Sequence, residues 1–335
     1  MNDLLCKLLI LRTPGIGPVK YNNLLQQYGN DGAVLESLRL DESFIDSVKH
    51  EMDVANKMGI EYICDTDSRY PKKLANVKNH PIIICARGNV ETLSKKTVAI
   101  VGTRHATMAG MNFVSDLARN FCEHDYAVVS GMAMGTDTAA HVGALKTNGN
   151  AQTIAVLAGG VDYIWPLENE SLYYKILERG CIISEMPVGY QPKGQNFVQR
   201  NRWVAGLSDF LILSEADMKS GSMTTARFAI EYERRVFAVP GHPSDSRSTG
   251  PNSLIRRGCA TLCMSPNDFF DEKNVNKKKN YKPGNEILDK LGMIPVSESV
   301  LANIVKKTVS EIKADLVVLE LQGLIRKQDG GYVLN

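Results

Sequence analysis

The stretch Val98-Ala99-Ile100-Val101-Gly102-Thr103-Arg104-His105-Ala106-Thr107 decides the fold. Its first four residues form a continuous apolar run that reads as a strand buried on both faces, Gly102 makes a turn, and a helical pattern follows. In sheets built from such units the turn lies at the carboxyl ends of the strands. Backbone N–H groups and the positive end of the next helix attract anions there. Arg104 on this turn reads in two ways, as a clamp for a phosphate or base, or as a surface arginine on a tight turn. The dinucleotide fingerprint G-x-G-x-x-G is absent, because Gly102 is followed by Thr103, Arg104 and His105.

Working outward, further apolar runs occur at Ile82–Cys85, Ala127–Val129, Ile154–Leu157, Cys181–Ser184, Phe210–Leu213 and Val236–Val239. Helical patterns at Met111–Phe121, Ala139–Leu145, Leu172–Leu177 and Thr225–Tyr232 separate them. This alternation predicts an α/β parallel sheet covered on both faces. Residues 1–65 read as short helices around the turn Pro14-Gly15-Ile16-Gly17-Pro18. In Asp271–Gly284 five lysines stand against Asp271 and Glu272 with almost no apolar residue, which predicts a basic linker. The remaining segment, 285–335, ends in a helical pattern at Ser310–Leu321 and a short hairpin, the ending of a winged helix.

Three more segments fall where the turns of this sheet would meet. Ser130-Gly131-Met132-Ala133-Met134-Gly135 leads into a helix that Thr136 or Asp137 can cap, and His141 follows among alanines. Asp137 reads as a cap or a site residue, and His141 as a packed core histidine or a support behind the site. Lys193–Arg202 holds Lys193, Arg200 and Arg202 with Phe197 and Asn201. Such a segment holds single-stranded nucleic acid, or is a solvated basic loop with Phe197 turned inward. Lys219–Thr225 opens a helix with Ser220, Gly221, Ser222 and Thr225, which suits a phosphate, with helix capping left open for Ser222. Glu185, Glu215 and Glu231 read equally as partners of arginines or as general bases. No metal cluster, P-loop or G-x-S-x-G appears, so no cofactor or metal is expected.

Composition bounds these readings. The chain has 335 residues with 39 Lys+Arg against 37 Asp+Glu, a net charge of +2. That is too balanced for a protein coated with cations for bulk nucleic-acid binding, though it leaves room for a focused positive pocket. Seven scattered cysteines without a C-x-x-C pair fit a reducing cytoplasm. The apolar start Leu4–Leu11, broken by Lys7, reads as a first helix rather than a signal peptide, and no window suggests a membrane span.

The sequence resembles the DNA-processing protein A (DprA/Smf) family. Val101–Gly110 looks like the motif V-G-[ST]-R-x-A-T-x-x-G, and Ser130–Leu145 like S-G-x-A-x-G-x-D-x-x-A-H-x-x-A-L. Tyr70-Pro71, Arg87-Gly88-Asn89, Ser184-Glu185, Arg200-Asn201-Arg202, Lys219–Ala226, Ala238–Gly241 and Asn252–Gly258 match in order. The resemblance implies an extended Rossmann-like domain over 66–270 that binds single-stranded DNA, forms homodimers and hands DNA to a RecA-type recombinase during natural transformation. A single-strand-binding protein is a further expected partner. It also implies that Arg104 is the central pocket cation, shaped by Gly102 and Thr103, with Ser130, Gly131 and Gly135 on the phosphate side. Lys193 becomes a second DNA contact, Phe197 the stacking ring, and Ser220, Gly221, Ser222 and Thr225 the rim. Departures are Trp165 for a usual Tyr, Val198 for Pro, Thr136 for Ile and Cys259 for Ala, all read as packing changes.

Pro14–Gly17 resembles a helix-hairpin-helix turn, which either holds DNA phosphates or is a structural hairpin. Residues 285–335 resemble the family's winged-helix module, and their six basic and seven acidic residues favour a protein contact at least as much as DNA. The enzymatic alternative is a nucleoside-monophosphate hydrolase of the lysine-decarboxylase-like group. Against it, Ser220–Glu231 lacks that group's paired glycines and displaces its glutamate. A nicotinamide-dependent dehydrogenase fails on the missing fingerprint.

Overall fold

The computed structural model describes residues 3–147, 152–266, 268–269, 285–291, 295–328 and 330–334. The linker expected at 271–284 lies outside these residues. The chain divides into two units, Met1–Asp268 and Phe269–Asn335.

The first unit opens with four helices, α1 (Asp3–Arg12), α2 (Pro18–Tyr28), α3 (Asp31–Leu38) and α4 (Glu42–Lys57). Local chemistry sets their ends. Pro18 opens α2, and Gly29 at φ 87 closes it by donating its N–H to Leu25. Asn30 and Asp41 cap α3 and α4 by accepting from Ala33 N at 3.0 Å and Phe44 N at 2.7 Å. Lys7, which interrupts the apolar start, is buried and donates to Asp31 at 2.6 Å. Leu8, Leu9, Ile10, Tyr21, Val34 and Val48 pack together with Ile82 and Ile83 at the edge of the sheet.

That sheet has nine strands: β1 (Ile60–Cys64), β2 (Ile83–Gly88), β3 (Lys96–Val101), β4 (Tyr126–Ser130), β5 (Thr153–Val156), β6 (Cys181–Ser184), β7 (Phe210–Leu213), β8 (Arg235–Ala238) and β9 (Thr261–Leu262). Their order is β1-β2-β6-β5-β4-β3-β7-β8-β9. From β6 to β9 all neighbours are parallel, as the continuous apolar runs predict. The run at Ile82–Cys85 is different. It lies in β2, which is antiparallel to both β6 and β1, and burial on both faces makes its composition that of a parallel strand. β1 precedes the boundary drawn at residue 65 and belongs to this same sheet.

Helices cover both faces. α6 (Met108–Glu123), α7 (Thr136–Leu145) and α8 (Glu170–Arg179) pack on one side. On the other, Ala99, Val101 and Val129 meet Trp203, Val204 and Leu207 of α9 (Gly194–Leu207) and Met223 and Ala226 of α10 (Gly221–Glu231). A short α5 (Lys72–Ala75) and α11 (Thr249–Arg256) complete this layer. The chain leaves β3 for β4 on one side and returns to β7 on the other. The helices after β3 and β7 therefore diverge to opposite faces and open a crevice at the carboxyl ends of the two strands.

The second unit has its own core. Two helices, α12 (Glu298–Val305) and α13 (Val309–Leu321), are followed by the hairpin β10 (Ile325–Gln328) and β11 (Gly331–Leu334), with Val296 bridged to Tyr332. Leu301, Ile312, Leu316, Leu319, Ile325 and Tyr332 fill it, together with Ile287, Leu288 and Leu291. No helix among the described residues is long and apolar enough to cross a membrane.

Candidate functional site

The crevice between β3 and β7 has a volume of about 340 Å³. Gly102, Thr103, Arg104, Gly131, Phe197, Arg200, Asn201, Ser220, Gly221, Ser222 and Thr225 all line it, so residues from four separated segments meet in one cleft. His105 and Ala133 line it too, neither of them singled out from the sequence although His105 adjoins Arg104 on the same turn, and so does Val198, which the sequence marks only as a packing change.

Its floor is built around a buried cation. Arg200, on α9, is 6 % exposed and donates to the carbonyls of Gly131 and of Val156, the latter at 2.9 Å. Its Nε donates to Asn201 Oδ1 at 3.1 Å, and Asn201 in turn donates to Gly221 O at 3.3 Å, tying α9 to the start of α10. A Cβ at position 131 would overlap the Arg200 guanidinium, which explains the glycine. The nearby charge is Asp137. Burial pushes its carboxyl above the ordinary range, while Arg200 and the N–H groups of Ala133 and Gly131 hold it down. Asp137 thus ties the β4–α7 loop and does not cap α7, whose first flanking residue is Gly135. Gly135 adopts φ 75, and a Cβ there would stand 2.6 Å from Arg104 O. The loop can close on the Arg104 turn only with glycine at this position. Ser130 lies beneath, fully buried, donating to Ile100 O at 2.7 Å.

The rim is arranged differently from the floor. Arg104 is exposed, and its Cζ stands 5.0 Å from the Trp165 ring centroid and 5.8 Å from that of Phe197. Phe197 is half-buried and forms part of the crevice wall. Ser220, not Ser222, caps α10, accepting from Met223 N at 3.4 Å, and the two serine hydroxyls are 2.9 Å apart. The first turn of α10 therefore opens into the crevice with its positive end, beside Arg104. The start of α6 is already occupied. Glu215 accepts from Thr107 N at 2.7 Å and from Thr107 Oγ1 at 2.5 Å, a structural tie across the crevice.

Two of the expected cations stand apart. Lys193 is exposed at the residue preceding α9 and does not line the crevice. Arg202 is turned away from it, donating to Tyr232 OH at 3.0 Å and to Lys78 O at 3.0 Å. The reason is helical: two residues on α9 are separated by about 200° around the axis, so positions 200 and 202 face opposite ways. Arg202→Gln is accordingly expected to lower the melting temperature while leaving affinity for an anionic ligand of the crevice within about twofold, measured by thermal unfolding and titration.

His141 is fully buried, and its Nδ1 donates to Thr153 Oγ1 at 2.7 Å, since that hydroxyl's own proton goes to Val128 O. Burial, aided by the Arg200 charge, lowers its pKa to about 3. The unfolded chain then takes up this proton first. Stability is expected to fall as pH drops from about 6.5 toward 3, and the imidazole NMR signals should not titrate between pH 8 and 5. The helical hairpin lies elsewhere: Gly17 and Pro18 line a separate cavity of about 240 Å³ with Pro81 and Glu185. Burial raises the Glu185 carboxyl to about 7, with Trp203, Arg202 and Gln199 opposing.

A set of known proteins shares this architecture and sequence. Residues 61–274 match the family described as DNA recombination-mediator protein A. DNA processing protein DprA of Bacillus subtilis is 35% identical over 232 residues, covering 69% of this chain and 77% of the relative. Protein Smf of Escherichia coli is 33% identical over 285 residues, covering 79% and 74% respectively. Among solved structures, DNA processing protein A of Streptococcus pneumoniae superposes with a TM-score of 0.68 at 29% identity, over 81% of this chain and 98% of that one. The protein from Helicobacter pylori, whose structure was reported for its single-stranded DNA binding mode, gives 0.59 at 30% identity, over 65% and 96%. With residues 61–274 matched by that family and relatives of this identity covering most of both chains, the chain belongs to the DNA recombination-mediator protein A family of DNA-processing proteins.

Proposed function

We propose that the crevice binds single-stranded DNA and that the protein acts as a recombination mediator, protecting incoming strands and helping to load a RecA-type recombinase, as in natural transformation. One observation carries the binding reading. Arg104 is an exposed cation at the crevice mouth, set between aromatic rings and the open first turn of α10. An extended strand needs a phosphate partner beside a stacking surface, and this arrangement supplies both. Gly102, Thr103, Gly131, Asn201, Ser220, Gly221, Ser222 and Thr225 form the walls, and Lys193 extends the track along the surface. Chemistry on the strand is disfavoured because Asp137 is the carboxylate of the lining and is buried in its own loop.

The reading extends to a wider assembly. A homodimer would join several short sites on one long strand and raise avidity without new contacts. Helices α1–α4 form a helical module beside an extended Rossmann-like domain that takes in β1 and runs to about residue 270, and 285–335 form a winged-helix module suited to contacts with a recombinase or single-strand-binding protein. The protein works in the cytoplasm. The deciding experiment is an oligo-dT titration followed by light scattering, which reads affinity and stoichiometry together. Tight, saturable binding supports the proposal; release of free base from AMP without oligo-dT binding would replace it with a nucleotide hydrolase.

A further inference from the structure

Trp165 lies in the segment after β5, outside the four segments that meet in the crevice. Its ring meets Phe197 edge-on, with centroids 4.7 Å apart at 62°. It also provides the nearer of the two aromatic surfaces at Arg104, 5.0 Å against 5.8 Å for Phe197. The same indole closes a small recess with Leu157, Tyr163 and Pro192, so its own orientation is held by packing. Among the described residues the Arg104 guanidinium meets these two rings, with no hydrogen bond or ion pair beside them. A long arginine on a loop otherwise samples many rotamers, and ordering it on a ligand costs affinity.

We infer that Trp165 is a positioning residue of the crevice, whose indole face holds the Arg104 guanidinium at the mouth, ready to meet a backbone phosphate of single-stranded DNA. The inference rests on the crevice being the single-strand site. Indole is the strongest aromatic partner for a cation, so tryptophan at this position preorganises the arginine more firmly than tyrosine or an aliphatic residue would. The part of its effect that runs through Arg104 depends on that side chain being present, which separates it from the packing support Trp165 also gives Phe197.

The test is a double-mutant cycle in the full-length protein, with oligo-dT titrated at one fixed salt concentration. Trp165→Leu is expected to weaken binding roughly three- to thirtyfold when Arg104 is present, and by a clearly smaller factor, left by its contact with Phe197, in an Arg104→Ala background. Trp165→Tyr should recover most of the loss. Trp165→Met, of similar reach but without a π face, takes the place of leucine if that variant does not fold. Equal losses in both backgrounds would overturn the inference, as would a tyrosine variant no better than leucine or no loss at all. An Arg104→Ala protein binding like the wild type would instead remove the crevice itself as the site, and the inference with it.

Discussion

Arg104→Ala is expected to weaken oligo-dT binding by roughly ten- to a hundredfold, the range of one charge-assisted hydrogen bond lost from a phosphate. Because the side chain is exposed and contacts only ring faces, the melting temperature should stay where it is. The slope of log affinity against log salt should flatten by about 0.7, the share of one neutralised phosphate on a single strand. Fluorescence anisotropy at three salt concentrations reads both quantities. A general surface cation would produce a small loss spread over many such residues. A full-strength complex with alanine at 104 would show that the strand lies elsewhere.

Arg200→Ala should have the larger effect on stability. The guanidinium satisfies the carbonyls of Gly131 and Val156 and offsets the buried Asp137 charge. Removing one member of such a buried set costs about 3–5 kcal/mol, because the remaining charge and acceptors stay in a low dielectric. For a unit of this size that corresponds to a fall in melting temperature of roughly 6–20 °C. The loss should depend on pH in a definite direction. Without Arg200, Asp137 is pushed further above its ordinary range, so the folded state binds a proton that the unfolded chain releases. The part of the penalty owed to the two unpaired carbonyls is the same at every pH, whereas the part owed to Asp137 is absent where that carboxyl is protonated with or without Arg200 and grows as pH rises through its already raised wild-type range. Thermal unfolding of the variant at pH 4 and pH 7 checks this; a deficit that is smaller at pH 7 would contradict the pairing. Loss of the Arg200 charge also relieves His141, whose pKa that charge helps to lower, and this too makes the deficit smaller at the acid end.

The parallel core was legible because strands such as Val98–Val101 and Phe210–Leu213 are apolar without a break, a pattern that only burial on both faces tolerates. Direction was not legible: β2 has the same composition, yet runs antiparallel, since periodicity carries no sign. β1, with its alternating exposure, was absorbed into the helical region. In the site, the glycine turns marked the crevice because backbone packs against Gly135 and the Arg200 guanidinium against Gly131, leaving no room for a Cβ as they stand. What escaped was orientation. Three cations within Lys193–Arg202 looked equivalent in sequence, but winding them on α9 buries Arg200, exposes Lys193 at its start and turns Arg202 to the far side. Trp165 escaped for another reason. Its contact with Arg104 joins two loops with no shared pattern, and such pairings are visible only in three dimensions.

The ties that close the crevice span long stretches of chain. Arg200 and Gly131 are 69 positions apart, and Thr107 and Glu215 are 108 apart. Loops of that length close late, after local helices and neighbouring strands have formed. A nascent chain emerging from the ribosome would carry the Arg104 turn long before β7 and α10 arrive to complete the cleft. Competence for a ligand is therefore acquired in one late step, when the sheet is finished on the far side of β3. Fragments ending before α10 would fold helices and strands yet hold no cleft, whereas the isolated first unit, once whole, should hold all of it.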